Sequence, residues 1–293
     1  MPAKPPKSGL KPDFGSIAGI AVALLGILGG LVMEGGKLKD VAQFTAAMIV
    51  LGGTAGAVLF STPLSTVMGA LRRLRGVFTD ISVPVDGLIE ELIGYATTAR
   101  KTGLVSLEQA SETIADPFLR KALTLAVDGT DLQEMRKMLE LVIEVEEQHA
   151  EAEAKVFEGA GGYAPTIGII GAVLGLIQVM KNLANIDEVG HGIAVAFVAT
   201  VYGVGTANLF FLPAAAKIKA RFMDEVHRKE LIIEAVSGIV EGLNPKLIRM
   251  KLEAYVGHKP AEKAKNAKQA AEANSAKEVK KTLGVKEPAG AKA

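Results

Sequence analysis

The chain has 293 residues, 49% of them hydrophobic, with a formal net charge of +1 and no cysteine. A disulfide framework is therefore excluded, and the long uncharged apolar blocks exclude an ordinary soluble domain. Four windows lack Asp, Glu, Lys and Arg, and each reaches the roughly 20 residues that a helix needs to cross a bilayer. These windows are residues 14–33, 41–71, 159–180 and 192–216. The sequence predicts an integral membrane protein of the all-α class with four transmembrane helices.

The first two spans are predicted at residues 14–33 and 41–61, with only residues 34–40 between them. This spacing predicts a tight transmembrane hairpin over residues 14–61. The preceding basic stretch, MPAKPPKSGLKPD, is typical of a signal peptide, but the apolar run is too long and no small-residue cleavage site follows it. We expect an uncleaved first span after a cytoplasmic extension, residues 1–13.

A polar segment, residues 62–160, is predicted to form a helical cytoplasmic loop. The apolar spacing in VDGLIEELIGYATTAR predicts one amphipathic helix from residue 85 to residue 100. Ser106 is predicted as the N-cap of the next helix, and Asp131 as the N-cap of a long helix. That long helix is expected to stop near Gly159.

The second transmembrane hairpin is predicted at residues 161–213, with spans at about 163–181 and 192–213. Residues 214–256 are expected to form cytoplasmic helices. The Lys/Ala-rich tail, residues 257–293, has few large apolar residues to bury, so we expect it to be disordered.

Basic residues near the span ends predict the orientation of the chain. The second span is followed by RRLR (residues 72–75) and the fourth by KIKAR (residues 217–221), while Lys4, Lys7 and Lys11 precede the first. The N-terminus, the middle segment and the tail are therefore all expected in the cytoplasm.

Glycines four residues apart recur in three of the spans, where they let helix backbones approach closely in lipid. The pairs are Gly15/Gly19, Gly26/Gly30, Gly52/Gly56 and Gly171/Gly175. This spacing favours tight bundling of the helices, with copies of the same chain or with a partner.

The third and fourth spans contain few polar groups and no ionisable one. The polar residues are Gln178, Thr200, Tyr202, Thr206 and Asn208. Because ionisable groups mark ion pathways in membranes, either the protein conducts nothing or another chain supplies the titrating group.

Two prolines lie at the same predicted membrane level. Pro165 is expected in the first turn of the third span, where no backbone N–H is needed. Pro213 frees a carbonyl near Leu209 and can bend the helix as it leaves the membrane. The residues alone leave both a structural role and a flexing role open.

The motifs resemble one family in particular. The four-span plan, APTIGIIGAVLGLI in the third span and VATVYGVGTANLFFLP in the fourth resemble the MotA/PomA family of flagellar stator proteins. In the loop, ARKTGLVSLEQ and LAVDGTD match the family pattern in order and spacing, and EGLNPKLIRMKLEAY resembles its C-terminal stretch. The resemblance covers about residues 13–256.

This resemblance implies a ring, a pentamer, around two copies of a MotB-type partner that is anchored to peptidoglycan. The partner supplies the channel aspartate, and the cytoplasmic loop pushes on the rotor protein FliG. The resemblance also implies a bacterial cytoplasmic membrane location and no nucleic acid. In the sequence no metal-ligand cluster, nucleophile constellation or phosphate-binding loop stands out, so we expect no cofactor or metal and no enzymatic activity.

The family's functional positions can be carried over to this sequence. Pro165 and Pro213 match the coupling prolines, and Thr200 matches the threonine beside the partner's aspartate. Ala172 and Tyr202 are assigned with Thr200 to the ion path. Arg100, Lys101 and Glu108 match the charges that contact the rotor, whereas Gln109 and Ser111 depart from the acids of sodium-type members.

The residue at position 172 bears on the ion. Sodium-type relatives usually carry threonine where this chain has Ala172, and a dehydrated Na⁺ needs oxygen ligands. We therefore predict proton coupling. The sequence of the fourth span is nonetheless nearer to that of sodium-type members, so a sodium-coupled stator is the alternative.

Three other classes of protein share some of these features. An ExbB/TolQ-type subunit would have three spans, with its large loop between the first and second. A secondary transporter would be expected to hold ionisable groups at mid-membrane within one chain. A structural scaffold would explain the glycines but not Thr200 together with the two prolines.

Overall fold

The computed structural model describes residues 11–80 and 85–255. The predictions for residues 1–10 and for the tail, 257–293, lie outside the described residues. The all-α class is confirmed, and four helices are long and apolar enough to cross a membrane. The helices are α1 Phe14–Met33, α2 Phe44–Ala47, α3 Gly53–Ser61, α4 Leu64–Val77, α5 Val85–Thr102, α6 Glu108–Thr113, α7 Pro117–Val127, α8 Leu132–Lys181, α9 Ile186–Thr206, α10 Leu212–Val240 and α11, residues 245–255.

The second span is built from several pieces. A 3₁₀ turn, Leu38–Val41, precedes α2, and a π-helical turn, Met48–Gly52, joins α2 to α3. Thr54 is 2% exposed, and its hydroxyl donates to the carbonyl of Val50 at 2.6 Å. A buried hydroxyl in an apolar span is thus satisfied by its own helix.

A short strand pair joins the chain before the first span to the chain after α4. Strand β1, Lys11–Pro12, pairs antiparallel with β2, Thr79–Asp80. The N–H of Asp13 extends this pairing by donating to the carbonyl of Phe78 at 2.9 Å. Two segments more than sixty residues apart in sequence are therefore held together by backbone hydrogen bonds.

The prediction that the long helix stops near Gly159 is wrong. Helix α8 is continuous over 50 residues, and Pro165 lies inside it instead of in a first turn. A Cβ on Gly161 would come 2.6 Å from Cδ2 of Leu212, so a neighbouring side chain occupies the space beside this glycine. Glycine here serves packing, which overrides its weak preference against helix.

The predicted cap at Asp131 is confirmed, and the one at Ser106 is wrong. The carboxylate of Asp131 accepts from the N–H of Gln133 at 2.9 Å. A 3₁₀ turn, Leu104–Leu107, precedes α6, and the hydroxyl of Ser106 donates backward to the carbonyl of Gly103. Gly103 has φ +88° and ψ 161°, an extended positive-φ conformation that essentially only glycine adopts, and it ends α5.

The chain divides into two compact units, each described by itself. The first comprises Met1–Gly87 and Lys137–Lys229, and the second Leu88–Arg136 and Glu230–Ala293. One core of the first unit joins α4 to α8 and α10, through Val67, Ala70, Val77, Ala154, Phe157, Ala160, Ala214, Ala215 and Ile218. The second unit buries Leu92, Leu107, Leu119, Leu123, Ile248 and Leu252 almost completely.

Candidate functional site

The third and fourth spans touch backbone to backbone along a line of small residues, here called the glycine interface. It comprises Gly168, Gly171 and Gly175 of α8 with Gly192, Ala199 and Gly203 of α9. A Cβ on Gly168 would come 2.9 Å from the carbonyl oxygen of Ala199, and one on Gly175 would come 2.8 Å from that of Gly192. No side chain larger than hydrogen fits at these points, so the two helices are held at their closest separation.

Two of the predicted ion-path residues border this interface. Thr200 is half-buried, and its hydroxyl donates to the carbonyl of Ala196 at 3.3 Å. Ala172 is also half-buried and lies one helical turn beyond Gly168. This leaves one hydroxyl and one methyl group beside the contact, and neither carries charge.

Tyr202, the third predicted ion-path residue, contacts the second span. Its hydroxyl donates to the carbonyl of Val41 at 2.6 Å and accepts from the N–H of Gln43 at 3.3 Å. The Val41 carbonyl lies at the end of the 3₁₀ turn and the Gln43 N–H at the start of α2, where backbone groups lack helical partners. Tyr202 therefore fastens the C-terminal part of α9 to the start of the second span.

The third and fourth spans together present an uncharged surface, here called the wall. Residues 163–180 and 192–213 contain no Asp, Glu, Lys, Arg or His. Within residues 11–80 and 85–255, no group of three His, Cys, Asp or Glu side chains could hold a metal ion. These two segments therefore offer no titrating side chain of their own.

Pro165 lies at the glycine interface. A Cβ on Gly203 would come 2.5 Å from the carbonyl oxygen of Ala164 and 3.2 Å from Cα of Pro165. Because a proline inside a helix has no N–H, the carbonyl of Gly161 loses its helical donor. The third span is thus weakened at the point where the fourth span lies against it.

Pro213 follows a π-helical turn. This turn, Ala207–Phe211, ends with the N–H of Leu212 donating to the carbonyl of Ala207, five residues back. A π turn absorbs the missing proline N–H by changing the hydrogen-bond register, and such turns are frequent at functional sites. Pro213 also lines a cavity of about 340 Å³, together with Ser16, Gly19, Asn208 and Lys217.

An ion-pair cluster that begins one helical turn after Pro213 was not predicted from the sequence. Asp13 caps α1 by accepting from the N–H of Ser16, and it also accepts from Lys217 at 2.6 Å and from Arg221 at 2.7 Å. The hydrogen bond from Lys217 holds the pKa of the Asp13 carboxyl well below its usual range. The four-residue spacing of Lys217 and Arg221 puts both on one face of α10, which was the available signal.

The predicted rotor contacts lie in the second unit. Arg100 and Lys101 are exposed in the last turn of α5, and Glu108 is exposed at the start of α6. A cavity of about 210 Å³ lies beside Arg100 and is also lined by Gly103, Leu104 and Leu243. The turn at Gly103 places two cations and one carboxylate near the same bend in the chain.

Two family descriptions match this sequence. The MotA/TolQ/ExbB proton channel family matches residues 110–231. The motility protein A N-terminal region matches residues 17–98.

Among individual relatives, the chain is 35% identical to motility protein A of Bacillus subtilis (strain 168), over 83% of this chain and 91% of that protein. The structure is similar to that of C. jejuni MotAB, with a TM-score of 0.80 and 35% identity over 84% of this chain and 97% of that one. It is also similar to the flagellar MotAB stator complex from Bacillus subtilis, with a TM-score of 0.76 and 35% identity over 82% and 95% of the two chains.

Proposed function

Since the chain belongs to the MotA/TolQ/ExbB proton channel family, we propose that it is the stator subunit of a bacterial flagellar motor. In this role it forms a proton channel with a MotB-type partner and converts proton flow into torque. The chain is a membrane protein and not an enzyme. Its relatives named motility protein A and its four spans favour the stator over an ExbB/TolQ-type subunit, which has three spans.

One observation carries the proposal: the wall formed by the third and fourth spans is uncharged but has a proline at each of two weak points. The glycine interface fixes the two helices side by side, and Thr200 and Ala172 border it. The channel aspartate then comes from the partner. Protonation of that aspartate changes its contact with the wall, and the helices bend at Pro165 and Pro213.

Movement at the prolines reaches the cytoplasm along the chain itself. Helix α8 is continuous from Leu132 to Lys181, and α10 begins one residue before Pro213. Arg100, Lys101 and Glu108 are the side chains that push on the rotor protein FliG. The assembly is a ring of copies, five in number, around two copies of the partner.

The protein is placed in the bacterial cytoplasmic membrane with both termini in the cytoplasm. The basic residues after the second and fourth spans support this orientation, because cytoplasmic loops carry an excess of Lys and Arg. Residues 14–61 and 161–213 form the two transmembrane hairpins, and residues 62–160 and 214–256 form the cytoplasmic part.

The coupling ion is the proton. Ala172 supplies no oxygen to the wall, whereas a dehydrated Na⁺ needs several oxygen ligands. A proton instead passes along water and a carboxylate, and the Thr200 hydroxyl, which donates to the carbonyl of Ala196, can still accept a hydrogen bond from such a water.

The test is the rotation speed of cells that rely on this protein and its MotB-type partner, with the proton and sodium gradients varied separately. A protonophore is expected to stop rotation, and removal of sodium is expected to leave the speed unchanged. Speed that follows external sodium would contradict proton coupling. An assembled complex that never rotates the motor would contradict the stator role itself.

A further inference from the structure

Helix α4 has an inner face that fixes its position. Val67, Ala70 and Val77 are buried against Ala154, Phe157 and Ala160 of α8 and against Ala214, Ala215 and Ile218 of α10. Those residues of α8 and α10 adjoin Pro165 and Pro213 at the cytoplasmic ends of the third and fourth spans. The inner face therefore seats α4 at the membrane boundary.

The three arginines of α4 divide between its two faces. Arg73 points inward, where its Nε donates to the carboxylate of Glu153 and its guanidinium carbon lies 5.6 Å from the ring centroid of Phe222. Arg72 and Arg75 are exposed. Within the described parts of the chain, neither of these two arginines has an acidic partner.

The outer face of α4 begins with an exposed apolar stripe. Leu64, Met68 and Leu71 are 66%, 46% and 50% exposed, and their spacing of four and three residues puts them on one face. Arg75 lies one further turn along the same stripe, and Arg72 lies beside it. Phe60, near the end of the second span, is 95% exposed, and only Thr62 and Pro63 separate that span from α4.

We propose that this outer face lies on the cytoplasmic leaflet and binds anionic phospholipids, with Arg72 and Arg75 on the headgroup phosphates. A helix with an apolar stripe beside cationic side chains has the composition of an interfacial helix. Guanidinium groups bind phosphate in a bidentate manner, and the anionic lipid surface attracts Lys and Arg close to it. The proposal rests on the orientation given above but not on the role in the motor.

The occupant is a lipid and not a second copy of the chain because only two residues separate the stripe from a membrane span and the stripe ends in arginines that have no acidic partner among the described residues. The residues that follow Pro63 leave the hydrocarbon, so the leucines and the methionine meet the acyl boundary and the arginines meet the headgroups. Arg73 of the same helix differs from Arg72 and Arg75, because it is paired with Glu153 inside the protein.

The first experiment measures the phospholipid that remains bound to the complete complex, with its partner, after purification from membranes that contain phosphatidylglycerol. The attraction per arginine corresponds to roughly fivefold in affinity. An R72Q/R75Q complex is therefore expected to lose most of its phosphatidylglycerol, whereas a K121Q/K137Q control of equal charge keeps the wild-type amount. Equal retention of phosphatidylglycerol by an assembled R72Q/R75Q complex would overturn the proposal.

A second experiment stands even if R72Q/R75Q fails to assemble. The chain contains no cysteine, so Met68→Cys and Met138→Cys each offer one labelling position in an otherwise native complex with a cysteine-free partner. In phosphatidylglycerol nanodiscs, a fluorophore introduced by Met68→Cys should be quenched by nitroxide-labelled lipid, and one introduced by Met138→Cys by a water-soluble quencher. A label at position 68 that lipid does not quench would refute lipid contact.

Discussion

Gly203 of the fourth span lies directly against the Ala164–Pro165 backbone of the third. A Cβ at position 203 would stand 2.5 Å from the carbonyl oxygen of Ala164 and 3.2 Å from Cα of Pro165. Both are backbone atoms of a packed helix and cannot rotate away, so Pro165 and the fourth span are in fixed contact. A movement of the fourth span at Gly203 therefore also displaces the helix backbone at Pro165.

Gly203→Ala is expected to destabilise the complex by about 1–3 kcal/mol, because the added methyl group overpacks the interface. Thermal unfolding of the detergent-solubilised complex measures this loss. Gly205→Ala is the matched control, since a Cβ at position 205 has nothing within 4 Å. Equal unfolding midpoints for the two variants would contradict the close contact.

Pro165→Ala and Pro213→Ala are each expected to leave an assembled complex that rotates the motor poorly. An interior proline costs a helix on the order of 3 kcal/mol, so restoring the N–H shifts a bending equilibrium about a hundredfold toward the straight helix. Tethered-cell rotation speed is the measurement. Pro117→Ala, at the first position of α7, should rotate normally. Normal speed in the two span variants would contradict the coupling role.

Thr200→Ala and Tyr202→Phe are expected to have different effects, because Thr200 is proposed to lie on the ion path and Tyr202 anchors α9 to the second span. Because Val41 and Gln43 both engage the Tyr202 hydroxyl, we infer, contrary to the sequence-based assignment, that it lies off the ion path. Tyr202→Phe should then cost about 1 kcal/mol of stability and leave proton current per complex unchanged. Thr200→Ala should reduce the current and leave stability nearly unchanged. Two measurements test this difference: the proton flux into cells and the unfolding midpoint of each purified variant complex. A large fall in current with Tyr202→Phe would instead place that hydroxyl on the ion path.

Arg100→Glu and Lys101→Glu are expected to abolish torque while proton flux persists, because they reverse the charge of the proposed rotor contact. Binding of the purified complex to FliG and the rotation speed are both measured. Lys121→Glu reverses an exposed charge in the neighbouring α7 and should have little effect. Full torque in both interface variants would move the rotor contact elsewhere on the loop.

The pairing of Glu90 with Arg249 predicts a pH dependence of stability. Arg249 donates two hydrogen bonds to the carboxylate, at 2.5 and 2.7 Å, and they lower the pKa of Glu90 from its ordinary value of 4.5. A lowered pKa means that the stabilisation is present above pH 4.5 and is lost as the pH falls through the pKa of the folded state. Glu90→Gln should lower the unfolding midpoint near pH 7 and lose this effect in acid.

Glu241→Gln, at an exposed carboxylate just after α10, serves as the control for Glu90→Gln. Its unfolding midpoint should follow that of the wild type across the same pH range. A Glu90→Gln deficit that persists unchanged in strong acid would contradict the ion pair as its cause.

The four spans were predictable because hydrocarbon imposes the same demand on every membrane helix: about 20 residues without charge. The α1 span, Phe14–Met33, agrees with its prediction at both ends. The four-residue glycine spacing likewise indicated close packing, because lipid offers no other route to a tight interface. The particular pairs of residues in contact, such as Gly168 and Ala199, could not be inferred, because many glycines in the spans share that spacing.

Local rules failed where a distant segment decided the outcome. The glycines before Pro165 predicted a break, but Leu212 packs against Gly161 and the helix continues. The sequence RRLR indicated orientation, yet only the position of Glu153 shows which arginine turns inward. Asp13 meets Lys217 across about two hundred residues of chain. Residue patterns record whether a segment meets water or hydrocarbon, whereas contacts between distant residues exist only once the helices have packed.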